Sequence, residues 1–232
     1  MSTPAPDLDR PDAVLFDIDG TLVDSNYLHV QAWSLAFAEV DHPVPSWRIH
    51  RAIGRDSAEL LDALLGEDVA ARVGDDAKDA HSRHYGELAD QLRVLPGARS
   101  LLDRLAADGV AVVLATSAPP DELEALRRVL DVEDDLAATT DAGDVGSAKP
   151  EPDIVEVALA RAGVPAGRAV FVGDTIWDVA AAARAGVPCL GVRSGGVAPA
   201  ELTDAGAVGV YDDVAHLERS LTGERRPWLG AP

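Results

Sequence analysis

The sequence predicts an α/β fold, a doubly wound parallel sheet interrupted once by an inserted α-helical domain. Three observations carry this expectation. Strand-like and helix-like patterns alternate through the second half of the chain, and the strand-like runs are apolar at consecutive positions, as in sheets covered on both faces. Residues 25 to about 93 show no strand pattern, only apolar residues at helical spacing. The chemically distinctive residues fall at the ends of the strand-like runs, where ligands bind in such sheets.

In chain order, an apolar run ends at Phe16 and is followed by Asp17-Ile18-Asp19-Gly20-Thr21, with Gly20 supplying a turn. Leu28, Ala32, Leu35, Ala36 and Val40 then recur at helical spacing, as do Leu60, Leu61, Leu64 and Leu65, which makes 25–94 a helical insertion. The rest, 1–24 and 95–232, is expected to form the sheet domain, resuming with a helix near Pro96-Gly97. Strands are expected at 111–116, 169–172 and 188–192, and helices at 120–130, 152–162 and 179–185. Pro119 and Pro120 suit a first helical turn. Gly109, Gly163 and Gly186 suit helix C-terminal caps. The tail 223–232, with Pro227 and Gly230, is expected to be irregular.

Four strand-end or loop segments carry chemistry. Asp17 and Asp19 offer a nucleophile, a proton donor and oxygens for a hard cation. Thr116-Ser117 ends a β-branched run with hydroxyls able to hold a phosphate oxygen. Lys149 places a cation just before a helix, and Gly173-Asp174 ends a third strand with Asp178 four residues beyond Asp174. Together these are the parts of a phosphoryl-transfer site.

This ordered set resembles the haloacid dehalogenase-like hydrolase superfamily from about Ala13 to about Tyr211. The resemblance implies a Rossmann-like core with a helical cap and a phosphatase of the phosphoglycolate or sugar-phosphate type. It assigns Asp17 as the nucleophile forming an aspartyl-phosphate and Asp19 as general acid and base. It also assigns Mg2+ held by Asp17, the Asp19 backbone carbonyl and Asp174, with Asp178 binding directly or orienting a metal-bound water. Gly20, Thr21, Thr116, Ser117 and Lys149 would bind the phosphoryl group. In the cap, Gly54 and Arg55 would read the leaving group, with Arg55 or Arg51 meeting a second anion.

Position 19 separates this chain from the dehalogenases, which have no acid there. Phosphonatase chemistry would need a cap lysine, and Lys78 lies far along the insertion. The rival is a β-phosphoglucomutase-like sugar phosphomutase. The stretch from Asp24 to Trp33 resembles that group, and His29 would position the acid/base carboxylate. The loop Ile53-Gly54-Arg55-Asp56-Ser57 lacks that group's basic residues, which weakens the mutase reading. A non-catalytic binding module of the same fold is the remaining alternative, disfavoured because Asp17 and Lys149 are both present.

Several negative expectations accompany these. A net charge of −20 disfavours a nucleic-acid partner. No apolar stretch approaches the roughly 20 residues needed to span a bilayer, and the segment Met1 to Arg10 has no apolar leader core, so a cytoplasmic protein is expected, a monomer or weak homodimer acting on a small phosphorylated metabolite. Cys189, the single cysteine, reads as a small buried apolar residue. His81 and His84 are expected on a solvated helix face, and Trp33 and Trp47 as packing residues.

Overall fold

A computed structural model describes residues 10–132, 136–144 and 149–221. The expected irregular tail 223–232 and nearly all of the Met1 to Arg10 segment lie outside the described residues. Eight strands and ten α-helices are assigned among them: β1 (Ala13–Phe16), β2 (Val23–Asp24), α1 (Asn26–Glu39), α2 (Ser46–Ala52), α3 (Ser57–Leu65), α4 (Glu67–Leu88), β3 (Arg93–Val94), α5 (Ala98–Ala107), β4 (Ala111–Ala115), α6 (Pro120–Leu130), β5 (Leu136–Thr140), α7 (Asp153–Ala162), β6 (Ala169–Gly173), α8 (Ile176–Arg184), β7 (Cys189–Val192), α9 (Pro199–Ala205), β8 (Gly209–Tyr211) and α10 (Val214–Ser220).

Six strands form a parallel sheet in the order β5-β4-β1-β6-β7-β8. Alternate residues of one strand enter different cores. Val14, Phe16, Val112, Leu114, Val170 and Val172 pack with α5, α6 and α10. Ala13, Leu15, Val113, Ala115, Phe171 and Cys189 pack with α7, α8 and α9. This double coverage is why the central strands read as continuous apolar runs. Cys189 is a buried free thiol, as expected.

β5 and β8 are the two edges and lack that continuous apolar signal. β5 reads Leu-Ala-Ala-Thr-Thr and β8 only Gly-Val-Tyr, both half-exposed, because an edge strand is covered less completely.

The insertion is a helical cap. α1 to α4 enclose their own core of Val30, Trp33, Phe37, Ile49, Leu60, Leu61 and Ala77. α1 also packs Ala32 and Leu28 into the sheet-domain core, and this leaves Leu35, expected on its apolar face, at 42 % exposure. The two chain crossings pair with each other: β2 and β3 form an antiparallel ribbon with Val23 opposite Val94 and Asp24 opposite Arg93. No helix among the described residues is long and apolar enough to cross a membrane.

Candidate active site

β1 sits between β4 and β6, with Phe16 in register with Leu114 on one side and Val172 on the other. Continuing each strand by one residue therefore brings Asp17, Thr116 and Asp174 together along the edge of the sheet formed by the carboxyl ends of its strands. The Asp17 N–H donates to Val172 O at 3.0 Å, which extends the ladder up to the carboxylate. The chain then turns back on itself, the N–H groups of Thr21, Leu22 and Val23 all donating to Ile18 O. Gly20 makes this possible: its φ is +71°, and a Cβ there would lie 2.7 Å from Asp174 Oδ2.

Lys149 is 2 % exposed. Its Nζ is 2.6 Å from Asp17 Oδ1 and 2.7 Å from Asp178 Oδ1. The Asp178 carboxylate also accepts from Thr175 N at 2.9 Å and Thr175 Oγ1 at 2.6 Å, and the Asp178 N–H donates back to Thr175 Oγ1 at 3.2 Å. That reciprocal capping box at the start of α8 holds Asp178 in place. Asp174 accepts from Asn26 Nδ2 at 2.8 Å and Thr21 Oγ1 at 3.3 Å. Asn26, buried on the first turn of the cap helix α1, was not anticipated; no local pattern marks it in the sequence.

Asp17, Asp174 and Asp178 each offer an oxygen within 4.8 Å of the others. Burial first, then its carboxylate neighbours, pushes the Asp17 carboxyl up to about 7, against the pull of Lys149. Asp174 is raised well above the usual range for the same leading reason. Burial alone would lower the Lys149 pKa, yet Asp17 and Asp178 together raise it, so its ammonium stays charged. Three buried carboxylates thus face a single ammonium. A hard divalent cation with oxygen ligands fits this donor set, since it would supply the missing positive charge.

The Asp19 side chain is not part of that cluster. It accepts from Ser25 Oγ at 2.5 Å and lies 3.4 Å from His29 Nε2, so its candidacy as a metal ligand is left to its backbone carbonyl. Despite burial, which opposes both shifts, the pair holds Asp19 below and His29 above their ordinary values.

A cavity of about 500 Å³ joins the sheet edge to the cap, a size suited to a small ligand. Asp17, Asp19, Thr116, Ser117, Lys149, Asp174 and Asp178 line it from below, and His29, Gly54, Arg55 and Ser82 from the cap. Thr116 Oγ1 accepts from the Ala118 N–H at 3.1 Å. Gly54, φ +91°, passes directly over the core, where a Cβ would sit 2.8 Å from Thr175 Cγ2. The Arg55 guanidinium lies 3.9 Å above the Trp177 ring.

Four expectations about the cap need correction. Arg51 is ion-paired with Glu201 and is not among the residues lining this cavity. Lys78 does line it, because α4 folds back over the sheet edge, so distance along the chain did not measure distance in space. His81 is buried at 6 %, stacked on Trp33 at 4.3 Å between centroids, and is not on a solvated face. Trp47 is 70 % exposed, so only Trp33 is a packing residue. Glu122 of α6, buried at 8 %, also lines the cavity and was missed, its Pro-Asp-Glu context reading as an ordinary helix start.

A haloacid dehalogenase-like hydrolase family model matches residues 11–186. The chain belongs to that family. It is an enzyme of the hydrolase class and is similar to a phosphoglycolate phosphatase of Rhodospirillum rubrum, 34% identical over 234 residues covering 96% of this chain and 92% of the relative. The crystal structure of a hydrolase from Pseudomonas syringae superposes with a TM-score of 0.86 at 34% identity, covering 90% of this chain and 97% of that one. A β-phosphoglucomutase from Clostridium difficile shares the fold at TM-score 0.77 and 22% identity, over 89% of this chain and 93% of that one.

Proposed function

We propose that this hydrolase is a magnesium-dependent phosphatase that cleaves a small phosphomonoester, of the phosphoglycolate or sugar-phosphate type, through an aspartyl-phosphate. The observation that carries the reading is the division of labour between the two leading aspartates. Asp17 lies among the buried carboxylates beside Lys149. Asp19 points away from them toward the cavity and His29.

In the first step an Asp17 oxygen forms a bond to phosphorus while the bond from phosphorus to the alkyl oxygen breaks, and Asp19 passes the proton it shares with His29 to the departing alkoxide. In the second, Asp19 takes a proton from water, which attacks the phosphorus and releases inorganic phosphate and free Asp17. Lys149, Thr116 and the N–H groups around Gly20 and Ser117 hold the phosphoryl oxygens. Asp17, Asp174 and the Asp19 carbonyl would hold Mg2+, with Asp178 binding directly or orienting a metal-bound water, and the ion would supply countercharge to the phosphoryl oxygens. The cap shields the reacting groups from bulk water.

Hydrolysis is favoured over mutase chemistry because a mutase must hold a bisphosphate while it reorients. Arg55 and Lys78 line the cavity from the cap, but Arg55 is stacked on Trp177 and Arg51 is paired elsewhere. The deciding experiment incubates the enzyme with phosphoglycolate, hexose phosphates and glycerol phosphates, with magnesium or with excess chelator. Free phosphate appearing only with magnesium is the expected outcome; full turnover in chelator would count against the metal. Rapid conversion of β-glucose 1-phosphate to glucose 6-phosphate without comparable free phosphate, given a trace of the bisphosphate, would make the mutase reading correct.

A further inference from the structure

A buried line of side chains leads away from Asp19 through three helices. His29 of α1 faces Asp19 with Nε2, and its Nδ1 is 3.1 Å from His81 Nε2 of α4. His81 Nδ1 lies 3.7 Å from Glu122 Oε1 of α6. The line starts at the sheet edge, passes through two cap helices and returns to a helix of the sheet domain, so it is complete only with the cap lowered onto α6. We propose that His81 and Glu122 are positioning residues that fix the orientation of the His29 ring, and through it aim the Asp19 carboxyl at the substrate oxygen. This rests on the phosphatase reading given above.

The ring stack cannot do this alone. His29 lies 4.0 Å from the Tyr85 ring at 11° and His81 lies 4.3 Å from Trp33 at 21°, which sets the planes of the rings. A stacked imidazole and the same ring flipped within its plane are nearly equivalent in such a stack, because stacking reads the face and not the edge. Only polar contacts at the ring edge tell them apart.

Burial first, and then the neighbouring His29 and His84, lower the His81 pKa to about 2, so this ring is neutral with one donor and one acceptor nitrogen. The Glu122 acceptor oxygen facing Nδ1 draws the proton to that side. Nε2 is then left as an acceptor, and His29 must present Nδ1–H to it. With Nδ1 engaged, the His29 Nε2 is held toward Asp19 Oδ1. A buried carboxyl and a buried imidazole at Glu122 and His81 would otherwise be costly residues that apolar ones could replace.

The experiment separates proton transfer from general integrity by the leaving group. The p-nitrophenolate ion departs without a proton, whereas an alkoxide needs one. In His81→Phe, which keeps a stacked ring, and in Glu122→Leu, kcat/KM for phosphoglycolate should fall by about 10 to 100-fold, part of the 10² to 10⁴-fold that acid–base catalysis contributes. For p-nitrophenyl phosphate it should stay within about twofold of wild type, and Glu122→Gln, which retains an acceptor oxygen, should restore the alkyl ester. Imidazole nitrogen NMR gives a readout independent of turnover: His81 should carry its proton on Nδ1 in the wild type and lose that preference in Glu122→Leu. Equal losses on both esters, no loss on either, or a wild-type His81 protonated on Nε2 would overturn the proposal. If the wild type hydrolyses neither ester, the phosphatase reading fails, and the NMR result alone then supports or overturns the arrangement of the line. Should His81→Phe fail to fold, Glu122→Leu carries the same comparison.

Discussion

At the floor of the cavity, Asp17, Thr116 and Asp174 begin where hydrogen-bonded strands end, and their spacing is inherited from the register of β4, β1 and β6. At the roof, Gly54 and Arg55 come from the loop between α2 and α3, and Lys78 and Ser82 from α4, all in an insertion whose two crossings form a two-residue ribbon. The Asp17 backbone cannot move without breaking its ladder hydrogen bond to Val172. A roof side chain can change while the sheet stays whole. The floor is therefore suited to chemistry that must keep its geometry, and the roof to substrate choice.

The largest test of this contrast lies on the floor. Asp17→Asn should abolish turnover by removing the nucleophile, whereas Asp19→Asn should lose about 10² to 10⁴-fold in rate while still binding phosphate. Steady-state assays with phosphate titration separate the two, and wild-type turnover by Asp17→Asn would rule out the covalent route.

A roof change should act differently. Arg55→Ala removes the guanidinium stacked over Trp177 and should reorder kcat/KM among phosphoglycolate, hexose phosphates and glycerol phosphate by about 10-fold, the scale of one charged contact. Turnover of p-nitrophenyl phosphate should change much less. An unchanged ranking would place substrate choice elsewhere on the roof.

The smallest expected effect is on stability, at the seam where α6 meets the cap. Burial first, and then the nearby carboxylates, raise the Glu122 carboxyl from 4.5 to about 7, with His29 opposing. The folded state therefore prefers the protonated form. Its stabilising share is fully present below pH 4.5 and is lost as pH rises through about 7. Glu122→Gln should be close to neutral in stability near pH 5 and more stable than wild type by up to about 3 kcal/mol at pH 8. Chemical denaturation at the two pH values measures this, and an equal effect at both would remove the buried carboxyl from the seam's energetics.

Asp17, Asp19, Thr116 and Asp174 were legible before any fold was known, because polar residues at strand ends leave short local signatures, an apolar run and then the polar residue, while Lys149 and Asp178 were legible from their order relative to these. The central strands were legible for a related reason, since both faces are covered. The edge strands β5 and β8 were not, because half-exposed strands need no continuous apolar pattern.

By itself, then, the sequence determined the parallel sheet, the helical insertion after the first strand, and the polar residues at the strand ends, all properties of segments a few residues long. Tertiary structure alone decided that Asn26 reaches Asp174, that Lys78 lines the cavity, that Arg51 is taken up by Glu201, and that His81 is buried between Trp33 and His29. His81 is 52 residues from His29 in the chain and 3.1 Å from it in space. A contact of that kind follows from how α1 and α4 pack together and how the cap sits on α6, and no local pattern around either residue encodes it.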